Sequence, residues 1–137
     1  MADNIRRVDY FYIEVPDQPG SLAPVVAKLK EARVNLLSFT AFPISGGKAQ
    51  ANFVPENTEA FTKAAKTAGL SLSERKQAFL VQGPDRVGAV AEVHQKLADA
   101  KVNVVAASAC SAPSGGFGMV LWVNPKDIAA AAKALGI

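Results

Sequence analysis

Pro16-Asp-Gln-Pro-Gly20 and Pro84-Asp-Arg-Val-Gly88 are two copies of one short motif, and they lie 68 residues apart in the chain. The similarity continues at the same offset, because Val34-Asn35 falls on Val102-Asn103. Self-similarity that persists over such a length indicates an internal duplication. We therefore expect the sequence to fold as two copies of one structural unit.

Each copy contains the same order of local sequence patterns. Aromatic and β-branched residues that stop at a proline predict a first strand, and apolar residues at helical spacing predict a helix after it. Two further apolar stretches joined by Gly-Gly are typical of a hairpin, and a last helix follows. The elements are expected at residues 8–15, 22–32, 34–44, 49–54 and from 57 or 58 to 68 in the first copy, and at 78–83, 90–100, 102–109, 117–123 and from 127 in the second.

Several finer details are also predicted. Ser21 is expected to cap the first helix, and Asp127 the last. Val90 and Ala100 are expected to face inward from the first helix of the second copy, with Val93 and Leu97. One residue added to the second copy aligns its hairpin glycines with those of the first.

The order βαββα occurs twice, with further strand-like sequence at residues 70–74. A split βαβ arrangement gives an antiparallel sheet with two helices on one face. We therefore predict an α+β fold of two ferredoxin-like (βαββαβ) repeats, at residues 1–69 and 70–137. The strand over 70–83 is expected to be shared by the repeats or continuous between them. Because no residues remain for a last strand in the second repeat, we hypothesise that the N-terminal segment supplies it.

Composition favours a binding module over an enzyme. The 137 residues carry a formal net charge of +3, which is weaker than the concentrated basic patch of a nucleic-acid-binding domain. The single cysteine, Cys110, excludes an internal disulfide framework and a Cys-based zinc site, and the single histidine, His94, leaves little material for His-centred catalysis. No stretch reaches the ~18 apolar residues of a membrane span. We expect a cytoplasmic, non-catalytic protein without a metal or cofactor, in which Cys110 is half-buried.

The Pro-Asp-x-x-Gly loop before each first helix is the candidate ligand site. Gly20 and Gly88 allow backbone conformations that other residues avoid, and they let a ligand approach closely. The helix after each loop offers unpaired N–H groups at the positive end of its dipole, which suit a carboxylate. Asp17 and Asp85 are able to accept hydrogen bonds from an ammonium group. An α-amino acid carries both charges, so one such loop, together with a neighbouring element, is suited to its head group.

Residues beyond the helices extend this candidate site. Asn35 and Asn103 carry an amide that both donates and accepts hydrogen bonds, and Leu36 and Val104 are placed to contact an apolar ligand side chain. The alternative interpretation is that Pro, Asp and Gly are ordinary turn residues and that each aspartate is only a helix cap. The recurrence of the loop with Val-Asn at one distance in both copies favours function.

These motifs resemble a pair of ACT domains over nearly the whole chain. The resemblance rests on Val-Pro-Asp-Gln-Pro-Gly-Ser-Leu at 15–22 with Val-Asn-Leu at 34–36, and on Gly-Pro-Asp-Arg-Val-Gly-Ala-Val at 83–90 with Val-Asn-Val at 102–104. It implies a ferredoxin-like fold that binds small ligands, most often amino acids, and regulates an enzyme or a transcriptional regulator. By position, the implied ligand-binding residues are Asp17, Gln18, Gly20, Ser21, Asn35, Leu36, Asp85, Arg86, Gly88, Ala89, Asn103 and Val104.

The resemblance also implies partners. ACT domains pair side by side, with ligands between the first loop of one domain and the strands of its partner, so we expect a homodimer and a regulated protein. The second loop has Val87 where the first has Pro19, which makes it less rigid. Arg86 can pair with a carboxylate, whereas Gln18 cannot. The two sites are therefore expected to differ in affinity or ligand, with branched-chain and aromatic amino acids as first candidates.

An RNA-binding module is the main alternative, and a protein-interaction module is another. Residues 115–122 resemble the RNP1 pattern on the expected strand, with Phe79 as a stacking partner. However, Gly115 replaces the basic residue of the pattern. Phe117 and Trp122 also differ in strand parity, so they point to opposite faces of the sheet. This pattern does not form one stacking platform, and nucleic acid is disfavoured as a partner.

Overall fold

The computed structural model describes residues 3–137, which form six strands, four α-helices and one short 3-10 helix. The elements are β1 (Asn4–Pro16), α1 (Ala23–Glu31), β2 (Leu36–Ile44), β3 (Lys48–Pro55), α2 (Thr58–Thr67), β4 (Lys76–Pro84), α3 (Ala89–Asp99), β5 (Val104–Ser111), β6 (Gly116–Val123), the 3-10 helix (Pro125–Asp127) and α4 (Ile128–Leu135). The described residues divide into two compact units. We call residues 9–76 the first unit, and residues 3–8 with 77–137 the second unit.

The first unit is an antiparallel sheet in the order β2-β3-β1 with helices α1 and α2. Alternate strand residues and the apolar stripes of both helices meet in one core. Phe61 of α2 lies at its centre, with its ring centroid 5.4 Å from that of Phe11 and 5.4 Å from that of Phe53. Val25 and Leu29, one helical turn apart on α1, complete the buried face. The period-2 and period-3.6 patterns of the sequence thus converge on a single core.

The second unit repeats this arrangement with β4-β6-β5, α3 and α4. Its core joins Phe79 and Leu121 of the strands to Val93 and Leu97 of α3, all at most 1% exposed. Alanine-rich α4 packs closely because its buried positions carry short side chains. Ile5, from the first residues of β1, packs against this core. The fold is therefore the expected α+β class, with antiparallel strands and helices on one face.

Strand pairing preserves the 68-residue offset through both hairpins. Phe11 pairs with Phe53 and Phe79 pairs with Leu121, so each partner in the second unit lies 68 residues beyond its counterpart. The register shift near the start of β2, between Leu36 and Ser38, recurs between Val104 and Ala106 in β5. The prediction of one added residue in the second copy is therefore wrong, because the paired strands of the two units keep the 68-residue offset throughout.

The predicted strand at residues 70–74 does not form. Instead, Ser73 makes a single bridge to β1: its N–H donates to the Tyr12 carbonyl (2.9 Å), and its Oγ accepts from the Tyr12 N–H (3.0 Å). A serine hydroxyl thus replaces the backbone acceptor that a strand would provide. The next strand, β4, begins only at Lys76.

Three details of the helices differ from expectation. The N-cap of α1 is Leu22 rather than Ser21, since Pro24 in the first turn needs no capping partner for its missing N–H. Asp127 is at the N-cap of α4, but its side chain makes no capping bond. Helix α3 begins at Ala89, and this phase buries Ala89 (4% exposed) while leaving Val90 41% exposed; Ala100 is the exposed C-cap.

Candidate functional site

The two Pro-Asp-x-x-Gly loops have the same backbone geometry. The N–H of Asp17 donates to the carbonyl of Gly47 (2.9 Å), and the N–H of Asp85 donates to the carbonyl of Gly115 (2.9 Å). Each loop therefore anchors to the hairpin of its own unit. The last residue of each motif is a glycine in the left-handed conformation that glycine favours, Gly20 at φ +81° and Gly88 at φ +87°. The sequence identified both glycines for this reason.

Among the described residues, each helix leaves two unpaired N–H groups in its first turn. In α1, Pro24 has no N–H, which leaves those of Ala23 and Val25. In α3, the N–H of Ala89 donates to the carbonyl of Arg86 (3.3 Å), which leaves those of the next two residues. Such N–H groups attract anions. The start of each helix is therefore a candidate carboxylate site.

Loop residues differ in their exposure. Asp17, Gln18 and Gly20 are exposed, and Ser21 is half-buried. In the second loop Asp85 and Gly88 are exposed, Arg86 is half-buried and Ala89 is buried. Both aspartates are thus accessible to a ligand from solvent, whereas the side chain of Ala89 is buried and its N–H donates to the carbonyl of Arg86.

A cavity of about 240 Å³ lies beside the second loop. Asp85, Arg86, Gly88 and the first residues of α3 line one side, and the end of β5 with Phe117 lines the other. This volume is below the ~300–1,000 Å³ typical of drug-sized ligands, so it suits a small metabolite. Its lining residues are Asp85, Arg86, Gly88, Ala89, Val90, Ala91, Ala109, Cys110, Ser111 and Phe117.

Sequence reasoning missed the strand side of this cavity. Cys110 and Ser111 line the cavity because the β5–β6 hairpin lies beside the loop, where the Asp85–Gly115 backbone bond joins the two, and the sequence carries no local signal of this contact. Cys110 is also exposed rather than half-buried as predicted. Strand β5 is the outer strand of its sheet, and every residue of β5 after Val104 is exposed.

Arg86 already holds a carboxylate from its own chain. Its Nη1 and Nη2 donate to Oδ1 and Oδ2 of Asp3 at 2.9 and 3.0 Å, and Nη1 also donates to the carbonyl of Pro84 at 2.9 Å. Nη2 further donates to Glu92. Hydrogen bonds to Asp3 and then to Glu92 raise the pKa of Arg86 above its ordinary value. The predicted pairing of Arg86 with a ligand carboxylate therefore requires Asp3 to move.

Asn35 and Leu36 lie at the far end of α1 from the first loop. The helix has nine residues, which at 1.5 Å per residue separates its two ends by roughly 14 Å. Asn35 Nδ2 donates to Glu56 (3.1 Å), and both Asn35 and Leu36 line a separate cavity of about 470 Å³ with Lys30 and Arg33. Within the first unit, the structure thus does not bring Asn35 and Leu36 together with Asp17.

The same separation holds in the second unit. Asn103 and Val104 follow α3, whereas Asp85 and Gly88 precede it, and α3 has 11 residues. Asn103 is exposed and Val104 is half-buried against the core. Each unit therefore carries two groups of candidate residues, one at each end of its first helix.

Other chemistry is sparse in the described part of the chain. His94 Nδ1 lies 2.9 Å from the carbonyl of Val90 on the preceding helical turn, so its ring is engaged locally. Across residues 3–137, no group of three or more His, Cys, Asp or Glu side chains is arranged to hold a metal ion. None of the helices among these residues has both the length and the apolar character needed to cross a bilayer.

Phe117 of the RNP1-like segment and its expected stacking partner Phe79 are not available to nucleic acid. Phe79 is fully buried and Phe117 is 7% exposed, and both belong to the core of the second unit. Base stacking requires an exposed ring face. The structure thus removes the stacking platform on which the RNA-binding alternative depends.

No protein-family model and no curated protein matches the sequence. Among solved structures, protein BT0572 from Bacteroides thetaiotaomicron is similar with a TM-score of 0.80 and 16% identity, over 96% of this chain and 88% of that chain. The ligand-free regulatory subunit of aspartate kinase from Thermus thermophilus is similar with a TM-score of 0.63 and 17% identity, over 97% of this chain and 93% of that chain. The regulatory subunit of aspartate kinase from Thermus flavus is similar with a TM-score of 0.59 and 20% identity, over 98% of this chain and 93% of that chain. At these identities the similarity shows the fold alone, which this chain shares with the regulatory subunits of aspartate kinase.

Proposed function

We propose that the chain is a non-catalytic regulatory sensor that binds an amino acid at its Pro-Asp-x-x-Gly loops. The observation that carries this proposal is the cavity beside Asp85 and Gly88, which combines an exposed carboxylate with the start of a helix. The Asp85 carboxylate suits an ammonium group, and the helix N–H groups together with Arg86, which lines the same cavity, suit a carboxylate. The regulatory subunits of aspartate kinase that share this fold support a regulatory role.

The ligand's side chain is expected to be apolar. The cavity contains Ala109, Phe117 and the first turn of α3, and Val90 is exposed beside it. Burial of apolar surface stabilises binding by about 25 cal/mol per Å². Branched-chain and aromatic amino acids are therefore our first candidates, as the sequence also suggested.

We further propose that the chain forms a homodimer through the outer strands of its sheets. Seven of the eight residues of β5 are exposed, and Val105 is 56% exposed. On β2, Phe42 is 43% exposed. An exposed outer strand pairs readily with a second chain. Such pairing is the way in which Asn35 or Asn103 of one protomer could approach a loop of its partner.

The regulated partner is proposed to be an enzyme or a transcriptional regulator. This inference rests on the ACT resemblance and on the names of the regulatory subunits that share the fold. The cytoplasmic location stays a prediction from sequence composition. Neither a cofactor nor a metal is needed for the proposed role.

Thermal unfolding with each of the twenty proteinogenic L-amino acids and with purine effectors tests the proposal. Saturation at 100 times Kd stabilises a protein by about 2.7 kcal/mol, so a specific ligand should raise Tm by several degrees. Asp17→Ala and Asp85→Ala should each abolish the shift that arises at its own loop. Asp99→Ala is the control, because Asp99 accepts a hydrogen bond from Gln95 at the end of α3 that lies away from the loop.

Gly20→Val provides a second, matched test. Gly20 and Gly69 both have positive φ, at +81° and +71°, and neither has an atom within 4 Å of an added Cβ. Valine therefore causes similar backbone strain at both positions, but only Gly20 lies in the loop. The proposal predicts that Gly20→Val removes the ligand shift of the first loop and that Gly69→Val retains it. A Tm that no amino acid raises in the unmodified chain contradicts the proposal.

A further inference from the structure

We propose that Asp3 is an internal competitor for the second loop: its carboxylate occupies the place at Arg86 that the α-carboxylate of an amino acid would take. The inference rests on the proposed function and adds a regulatory element to it. The N-terminal segment thereby weakens ligand binding at this loop, whereas Gln18 of the first loop holds no such internal carboxylate.

The geometry at Arg86 is that of carboxylate recognition. Both oxygens of Asp3 accept from separate guanidinium nitrogens, at 2.9 and 3.0 Å, which is the two-pronged contact that arginine makes with free carboxylates. The ring of Phe117 lies 5.8 Å from the guanidinium carbon and restricts its position. A fixed arginine with this geometry forms a ready-made carboxylate receptor.

The space for the Asp3 carboxylate depends on Gly83. A Cβ added to Gly83 would lie 2.1 Å from Asp3 Oδ1 and 3.3 Å from Asp3 Cα, so no larger residue fits while Asp3 is in place. The Asp3 side chain is only 8% exposed as a result. The glycine thus provides a pocket for this carboxylate, next to the arginine that binds it.

Arg86 also lines the 240 Å³ cavity beside Asp85 and the start of α3. Four hydrogen bonds to Asp3, Pro84 and Glu92 use both terminal nitrogens, which leaves neither of them for another two-pronged contact. A ligand carboxylate in this cavity and Asp3 therefore compete for the same guanidinium. When only a fraction of molecules has the site free, the apparent affinity falls by that fraction.

The first loop lacks this element. Gln18 lies 68 residues before Arg86 at the equivalent position, and its neutral amide makes no ion pair. The two loops therefore differ in regulation as well as in sequence. The first has no internal carboxylate at this position, and ligand binding at the second depends on the N-terminal segment.

Isothermal titration of four proteins with the twenty L-amino acids tests the inference. The proteins are the unmodified chain, Asp3→Ala, Gly83→Ala and the control Asn4→Ala, which changes an exposed neighbour of Asp3. Asp3→Ala removes the competitor, and Gly83→Ala displaces it by an independent route. Both should show either a second site per chain or about ten-fold tighter binding, whereas Asn4→Ala should behave as the unmodified chain. Thermal unfolding verifies that each variant is folded.

The double variant Asp3→Ala with Arg86→Gln assigns the gained site, because it should lose the gain while retaining first-loop binding. A gain that persists without Arg86 overturns the inference. Binding to the unmodified chain with no gain in either Asp3→Ala or Gly83→Ala also overturns it, and leaves the proposed function standing. No binding to any of the proteins removes the proposed function and the inference together.

Discussion

The ring of Phe61 stacks on the ring of Phe11, with centroids 5.4 Å apart and ring planes 26° apart. This contact joins α2 to β1 across the core of the first unit, and both rings are buried. Replacing Phe61 with alanine removes the stacking and leaves a cavity, so Phe61→Ala should reduce the free energy of unfolding by about 3–5 kcal/mol. Urea denaturation measures this change.

Phe39→Ala is the matched control for that prediction. Phe39 also contacts Phe53, at 5.4 Å between centroids, but it is 42% exposed. Its truncation should therefore cost less than half as much as that of Phe61. Equal losses at the two positions would show that the assigned core is wrong.

The cap of α2 offers a second comparison. Asn57 Oδ1 accepts a hydrogen bond from the N–H of Ala60 at 2.9 Å, whereas the Asp127 side chain at the equivalent position of α4 makes no capping bond. Asn57→Ala should reduce the free energy of unfolding by about 1 kcal/mol, and Asp127→Ala should reduce it less. Chemical denaturation of both variants provides the measurement, and a larger loss for Asp127→Ala would contradict the assignment.

Alkaline pH should destabilise the protein through Tyr10. Burial, and secondarily the neighbouring Tyr12, raises the pKa of Tyr10 above its ordinary value of 10.0. The folded state therefore holds this proton more tightly than the unfolded state. The contribution of Tyr10 to the free energy of unfolding is fully present below pH 10 and is lost as the pH rises through the pKa of the folded state. Absorbance at about 295 nm should show a late-ionising tyrosine that Tyr10→Phe removes. An unchanged titration curve in Tyr10→Phe would exclude this assignment.

The duplication made the fold predictable from the sequence. A loop motif and a Val-Asn pair recurring at one offset determine the order of elements, and hydrophobic periodicity determines which face of each is buried. The cap at Asn57 and the left-handed glycines could also be predicted from the sequence, because helix capping and a positive φ each restrict the residue type locally. The candidate loops follow from the same local rules.

Features that depend on distant residues were not predictable in this way. Asp3 and Arg86 are 83 positions apart, and neither carries a local signal of the other. The sequence did not predict which face of the first turn of α3 is buried, because Ala89 and Val90 are both apolar. Only the start of the helix after its N-cap, Gly88, decides which of the two is buried. Similarly, the pairing of Ser73 with Tyr12 depends on a hydroxyl in place of a strand.

The central claim is that these loops are where a small metabolite binds, and amide chemical shifts of the isotopically labelled chain test it most directly. Titration with each L-amino acid should produce saturable shifts at residues 17–21 or 85–91 for at least one of them. Asp17→Ala and Asp85→Ala should each remove the shifts of their own loop. Saturable shifts confined to residues outside these two loops, or no saturable shifts with any amino acid, would contradict the account.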